Sequence, residues 1–166
     1  VGTHLPKECF CERRLKADGL ALYAAQQTKN TGFSVACAVI HEINSPAEIT
    51  NEIKDKRAQS SFSFMVKKGE DVQFTKWIAY DTAKEAVDPG VLSERTFGYC
   101  EEAQKKGYYE IRDLQKGYLS DYWYHTDIEI GGDDKLQQGL RFNGYHILQS
   151  VGRDGATNIA AKGLTG

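Results

Sequence analysis

The chain of 166 residues contains one methionine, three prolines and two tryptophans. No apolar run in it approaches the roughly 20 residues of a membrane span. Residues 1–10 also lack the basic start and apolar centre of an export signal, so the sequence predicts a soluble, cytoplasmic protein with no membrane partner. Blocks of like charge are missing too. With 21 Lys and Arg against 23 Asp and Glu the net charge is -2, and nothing forms the basic patch that a nucleic-acid binder or a polybasic anchor would show. The four cysteines, Cys9, Cys11, Cys37 and Cys100, include no C-x-x-C, and no histidine lies at zinc-knuckle spacing. They predict no metal site and four reduced thiols that pack as small apolar groups. Nor does any serine, cysteine or aspartate sit in a nucleophile motif. A start at Val1 rather than Met suggests a processed product or an excised piece.

What is present is a 40% share of hydrophobic residues, enough for the core of one ordinary domain. Before Pro89 the apolar runs are short and rich in β-branched and aromatic residues. Residues 20–28 and 33–43 flank Lys29-Asn30-Thr31-Gly32, whose Asn and Gly accept positive φ, and they predict a hairpin. Residues 60–66 and 72–80 flank Lys67-Lys68-Gly69-Glu70-Asp71 and predict a second hairpin, because Phe62, Phe64 and Val66 alternate with Ser63 and Met65. Residues 47–59 fit either a short charged helix opening at Ser45-Pro46 or an edge strand protected by Lys54, Lys56 and Arg57; we favour the strand. A further strand over 9–15 would put Cys9 and Cys11 on one face.

After Asp88-Pro89-Gly90 the period lengthens from two residues to about 3.6. Residues 91–106 and 109–124 read as helices separated by Gly107, which is placed as a C-terminal cap. The clearest helix follows, with Asp133 as N-cap, Leu136, Leu140, Ile147 and Val151 on one stripe, and Gly152 closing it. Gly139 and Gly144 lie inside. Each costs about 1 kcal/mol relative to alanine, so close approach by another backbone is the expected compensation. The stripe itself needs a cover, supplied by self-association or by packing back onto the strands.

Few residues suggest chemistry. Asp127 and Glu129 alternate in an extended Asp-Ile-Glu-Ile and put both carboxylates on one side. Carboxylates two apart on a strand lie about 7 Å apart and point the same way, whereas a glycosidase needs them across a scissile bond, so a surface or helix-start role is the better reading. Lys162, amid the glycines of residues 158–166, suggests a phosphate cradle, but the order is not that of a P-loop and an irregular loop is favoured. Arg141 and Asn143 could reach a sugar hydroxyl, with surface salt bridging as the default. His146 falls mid-helix without a serine or cysteine partner and reads as packed or solvated. Arg141, Asn143 and Lys162 are thus weak substrate-binding candidates, and no residue is a catalytic candidate. Taken alone, these features describe a soluble β-rich module with a helical tail and no visible active site. A carbohydrate-binding or interaction β-sandwich without catalysis is the non-enzyme alternative.

A more specific signal runs from Trp123 to Gly166. It begins Trp123-Tyr124-His125-Thr126-Asp127-Ile128-Glu129-Ile130, passes through Gly131-Gly132-Asp133 into Leu136-Gln137-Gln138-Gly139-Leu140-Arg141-Phe142-Asn143, and ends Asn158-Ile159-Ala160-Ala161-Lys162-Gly163-Leu164-Thr165-Gly166. This resembles the opening of the catalytic domain of glycoside hydrolase family 65, mainly phosphorylases of maltose, trehalose, kojibiose or nigerose with some acid trehalases. A weaker likeness, in the same order, covers Val66-Lys67-Lys68-Gly69-Glu70 and Phe74-Thr75-Lys76-Trp77-Ile78-Ala79.

The resemblance implies a mixed fold, an antiparallel β-sandwich portion followed by α-helices. Residues 1–88 would be the C-terminal part of the sandwich, 89–126 a helical linker and 127–166 the start of an (α/α)6 catalytic barrel. It implies inverting phosphorolysis of an α-glucosyl disaccharide to β-glucose 1-phosphate and a sugar, with an acid trehalase-type hydrolase as the alternative within the family. The partners would be disaccharide and phosphate in a homo-oligomer, with inorganic phosphate as co-substrate and no cofactor. The family's glutamate acid and its phosphate site lie downstream of the matched region, so the chain alone is expected to be an inactive fragment. Two positions depart from the pattern: Gly144 stands where a bulky apolar residue is frequent, and Leu119 where tryptophan is.

Overall fold

The computed structural model describes residues 9–152, which divide into two compact units, one ending at Ile111 and the other beginning at Arg112. The first contains six strands: β1 (Phe10–Asp18), β2 (Ala21–Thr28), β3 (Ser34–Ile43), β4 (Glu48–Lys54), β5 (Arg57–Ser63) and β6 (Phe74–Ala83). Two helices follow, α1 (Pro89–Thr126) and α2 (Asp134–Ser150). Strands β1, β2, β3 and β6 form an antiparallel sheet in that order, and β4 pairs with β5 in a separate two-stranded sheet. Antiparallel strands followed by helices are the fold class the sequence predicts.

The core of the first unit depends on small side chains. Register places Tyr23 beside Ala38 and Ala25 beside Ala36 on β2 and β3, and Ala38 beside Ala79 on β6. Residues paired in this way share one sheet face, so the centre of that face is a floor of alanines. A helix can approach such a floor closely. The first part of α1 does so, burying Leu92, Thr96 and Cys100 completely, and the Cys100 thiol reaches the Ala38 carbonyl at 3.5 Å. Burial pushes the Cys100 thiol's pKa up, which keeps it protonated as a packing group. Polar anchors fix where the helix starts. Asp88 Oδ1 accepts from Gly90 N at 2.7 Å, an N-cap with proline at the first helical position, and the buried Tyr23 hydroxyl donates to the Pro89 carbonyl at 2.9 Å. Further along, Trp77 Nε1 donates to Glu42 Oε2 at 2.8 Å, and Gln104 Nε2 donates to the other oxygen of Glu42. Arg95 on α1 holds Asp81 of β6 through both carboxylate oxygens, at 2.9 and 3.0 Å.

The other sheet face carries the small sheet. Its junction is aromatic: the His41 ring lies 5.1 Å from Phe62 of β5 and 5.5 Å from Phe74 of β6, and the two phenyl rings meet at 5.0 Å. His41 is buried and its Nδ1 lies 2.9 Å from the Leu20 carbonyl, so an Nδ1–H donating there satisfies that polar edge.

The β2–β3 hairpin forms as the sequence predicts. The second predicted hairpin does not. Residues 60–66 and 72–80 do not pair: β5 turns back onto β4, and β6 crosses to the large sheet and pairs with β3. The true turn is Asp55-Lys56, at φ 50 and 61, the two positive values of a primed hairpin turn. Segment 47–59 is therefore extended, as favoured, but folds as one strand and the start of the next. Gly107 (φ 76, ψ 165) breaks α1 at the predicted cap position. This is a backbone region open essentially to glycine alone.

Candidate functional site

The second unit holds the residues singled out in the sequence, and its organising feature is the extended segment 127–133 between α1 and α2. Each end is pinned. Asp127 N donates to the Trp123 carbonyl at 2.9 Å, ending α1. Asp133 is the N-cap of α2, its Oδ1 accepting from Lys135 N and Leu136 N at 3.0 Å each, as the sequence predicts. Gly132, at φ 89, makes the bend before the cap.

Between those ends α2 grips the segment with two side chains. Arg141 forms a two-pronged pair with Asp127, Nε to Oδ1 at 2.9 Å and a terminal nitrogen to Oδ2 at 2.5 Å. Gln137, one turn earlier on the same helix face, accepts from Ile130 N at 2.6 Å and donates to the Ile128 carbonyl at 3.0 Å. The spacing of four residues stacks the two side chains, and together they satisfy a backbone with no ladder partner. The hydrogen bonds from Arg141 hold the Asp127 carboxyl below its ordinary range, and the same contact raises the guanidinium.

These contacts decide what the candidates can do. Asp127 is ionised and committed to Arg141, so it is a poor proton donor at neutral pH. Glu129 is exposed on the same segment. Arg141, weighed as a sugar ligand, is engaged by Asp127. Asn143 lies about 200° further round α2 from Arg141, exposed, so the two do not converge. Lys162 and the loop 158–166 lie outside the described residues. His146 packs its ring 4.2 Å from that of Phe142. A shallow hollow of about 470 Å³ lies beside Arg141, lined by Asp134, Gln137, Gln138, Phe142 and Tyr145. Among the described residues no group of three or more His, Cys, Asp and Glu could hold a metal ion, and no helix is long and apolar enough to cross a membrane.

The glycines inside α2 differ from expectation. A Cβ on Gly144 would lie 3.6 Å from two ring carbons of Trp123 and 3.7 Å from the Tyr122 hydroxyl, while one on Gly139 would meet nothing within 4 Å. An aromatic ring, not a backbone, neighbours Gly144, and the Tyr122 hydroxyl donates to the Gly144 carbonyl at 2.9 Å. On the predicted stripe Leu136 and Ile147 are 54% and 61% exposed, whereas Leu140 and Val151 are half-buried.

The comparisons with known proteins agree on one family. The sequence model described as "Glycosyl hydrolase family 65, N-terminal domain" matches residues 3–122. The α,α-trehalose phosphorylase of Thermoanaerobacter brockii is 36% identical over 168 residues, covering 100% of this chain and 22% of that protein. The α,α-trehalose phosphorylase of Geobacillus stearothermophilus is 48% identical over 67 residues, 40% of this chain and 9% of that protein. A solved structure described as "Putative kojibiose phosphorylase from human microbiome" matches with a TM-score of 0.79 at 19% identity, over 95% of this chain and 21% of that one. The chain spans about a fifth of the length of the T. brockii relative and of the solved structure.

Proposed function

The chain belongs to glycosyl hydrolase family 65, and from that premise we propose that it is the non-catalytic lead-in of a disaccharide phosphorylase. On this reading residues 1–88 close the N-terminal β-sandwich, 89–126 link it to the catalytic domain, and 127–166 begin an (α/α)6 barrel. The parent enzyme carries out inverting phosphorolysis. A phosphate oxygen attacks the anomeric carbon of an α-linked glucosyl unit, the glycosidic C–O bond breaks, and a carboxylic acid gives its proton to the departing oxygen, yielding β-glucose 1-phosphate and a free sugar. Phosphate is already an anionic nucleophile, so the second carboxylate that an inverting hydrolase uses to activate water is not needed.

The observation that carries the reading is the family match over residues 3–122, supported by the relatives' names. The geometry of the second unit fits it. Asp127 and Arg141 neutralise each other, and Gln137 spends its amide on backbone, so the described residues build a scaffold joint and leave the chemistry to other parts of the protein.

The test is direct. Purified chain incubated with phosphate and trehalose, maltose, kojibiose or nigerose should release no glucose 1-phosphate, because absence of an acid catalyst alone costs about 10²- to 10⁴-fold in rate. Turnover that survives repurification and is abolished by a substitution within residues 1–166 would overturn the proposal.

A further inference from the structure

At the end of β3 the chain leaves the large sheet through Asn44, builds the small sheet, and returns into β6 from Gln73. Those two residues clamp the excursion shut: Asn44 N donates to the Gln73 carbonyl at 3.1 Å, and Gln73 N donates to Asn44 Oδ1 at 2.7 Å. Beside the clamp lies a hollow of about 410 Å³, lined by Leu20, Glu42, Ile43, Asn44, Gln73 and Thr75. That size is within the roughly 300 to 1,000 Å³ of small-ligand pockets.

Glu42 sets what the hollow can hold. Its carboxylate is fixed by two neutral donors, Trp77 Nε1 on one oxygen and Gln104 Nε2 on the other. Among the described residues no cation pairs with it. A carboxylate offers about four acceptor positions over its two oxygens, so one is left on each. Thr75 is the register partner of Glu42 on β6 and brings a hydroxyl beside it. The clamp uses Asn44 Oδ1 and leaves that side chain's NH2 group to donate.

We propose that this hollow binds a neutral sugar ring through a vicinal pair of its hydroxyls. Two adjacent O–H groups donate to the acceptor left on each Glu42 oxygen, and their own oxygens accept from Asn44 and Thr75. Leu20, 39% exposed, and Ile43 give the C–H face of the ring an apolar wall. Other ligand classes fit less of the lining. An ammonium ion would satisfy the carboxylate, but it accepts nothing and leaves the Asn44 amide unmatched. An anion would be repelled by Glu42. A hydroxyl both donates and accepts, so it serves the carboxylate and the amide together.

Titrating the 166-residue chain with methyl α-D-glucopyranoside, without phosphate, and following the indole N–H resonances tests the proposal. The chain has two tryptophans. The Trp77 signal, whose N–H bonds to Glu42, should shift with a dissociation constant on the order of millimolar, while the Trp123 signal stays. Tetrahydropyran-2-methanol, a similar ring without adjacent hydroxyls, should move neither. Thr75→Val should weaken binding about threefold or more and Glu42→Gln about tenfold or more, each with unchanged circular dichroism. Gln59→Ala, in the separate hollow at the β4–β5 turn, should leave binding intact. A Trp77 signal that never moves, an equal response to the ring without adjacent hydroxyls, a response to ethylammonium in place of the sugar, or an affinity indifferent to both Thr75→Val and Glu42→Gln would each overturn it. Binding is read without turnover, so its failure leaves the proposed function standing.

Discussion

Replacing Gly144 with alanine should stabilise the second unit, and the structure says by how much. A glycine in a helix interior costs about 1 kcal/mol relative to alanine, and Gly144 has no positive φ to protect. The new methyl would sit 3.6 Å from two carbons of the Trp123 ring, an ordinary contact that displaces nothing. Burying a methyl there adds at most about 0.8 kcal/mol, so the expected gain is roughly 1 to 2 kcal/mol. Gly139 supplies the control. Nothing lies within 4 Å of a Cβ there, so Gly139→Ala should gain only the propensity of about 1 kcal/mol. Gly144→Leu should reverse the sign, since a branched side chain must push the Trp123 ring aside and strain the bond from Tyr122 to the Gly144 carbonyl. Native-state amide exchange across α2 reads the local free energy directly, and Trp123 emission reports the ring. If Gly144→Ala weakens α2 by 1 kcal/mol or more, the helix is packed against something closer than this ring and the account of its glycines fails.

Three other outcomes follow from the packing and electrostatics. Ala38→Leu overfills the alanine floor beneath Cys100 and should destabilise the first unit by about 1 to 3 kcal/mol in urea unfolding. Phe62→Ala removes a half-buried ring from the His41 junction, costing about 2 kcal/mol, and amide exchange should speed first in β4 and β5. The Asp127 carboxyl titrates below its ordinary value of 3.8 in the folded protein, so the unfolded chain takes up its proton first. The pair's stabilisation is thus complete above that value and lost as pH falls through the lower folded one; acid titration of α2 helicity should show this step, and Asp127→Asn should abolish it.

The parts legible in the sequence are those set by local rules. Asp133 at a helix start, Gly107 at a helix break and Asn30-Gly32 between two strands each declare a backbone conformation. The β4–β5 hairpin was hidden because its turn uses Asp55 and Lys56, and a lysine at positive φ gives no signal. The mistaken hairpin at Gly69 has the opposite cause. The residues there do turn, but a turn does not say whether the chain returns to its last strand or crosses to another sheet. That choice is made by the alanine floor of β3, which β6 completes with Ala79. In the second unit Asp127 and Arg141 stood out separately, yet their pairing across fourteen residues depends on the path of the segment between them. Gln137 carried no signal, since any polar residue fits the surface of a helix.

The central claim is that residues 1–166 lead into the catalytic barrel of a phosphorylase and supply none of its chemistry. Expressing the coding region continued past Gly166, beside the chain alone, and following the anomeric product by NMR with phosphate and an α-linked glucosyl disaccharide tests it most directly. The account predicts β-glucose 1-phosphate from the longer protein and nothing from residues 1–166. Free glucose formed without phosphate incorporation, or a reading frame that stops at Gly166, would contradict it.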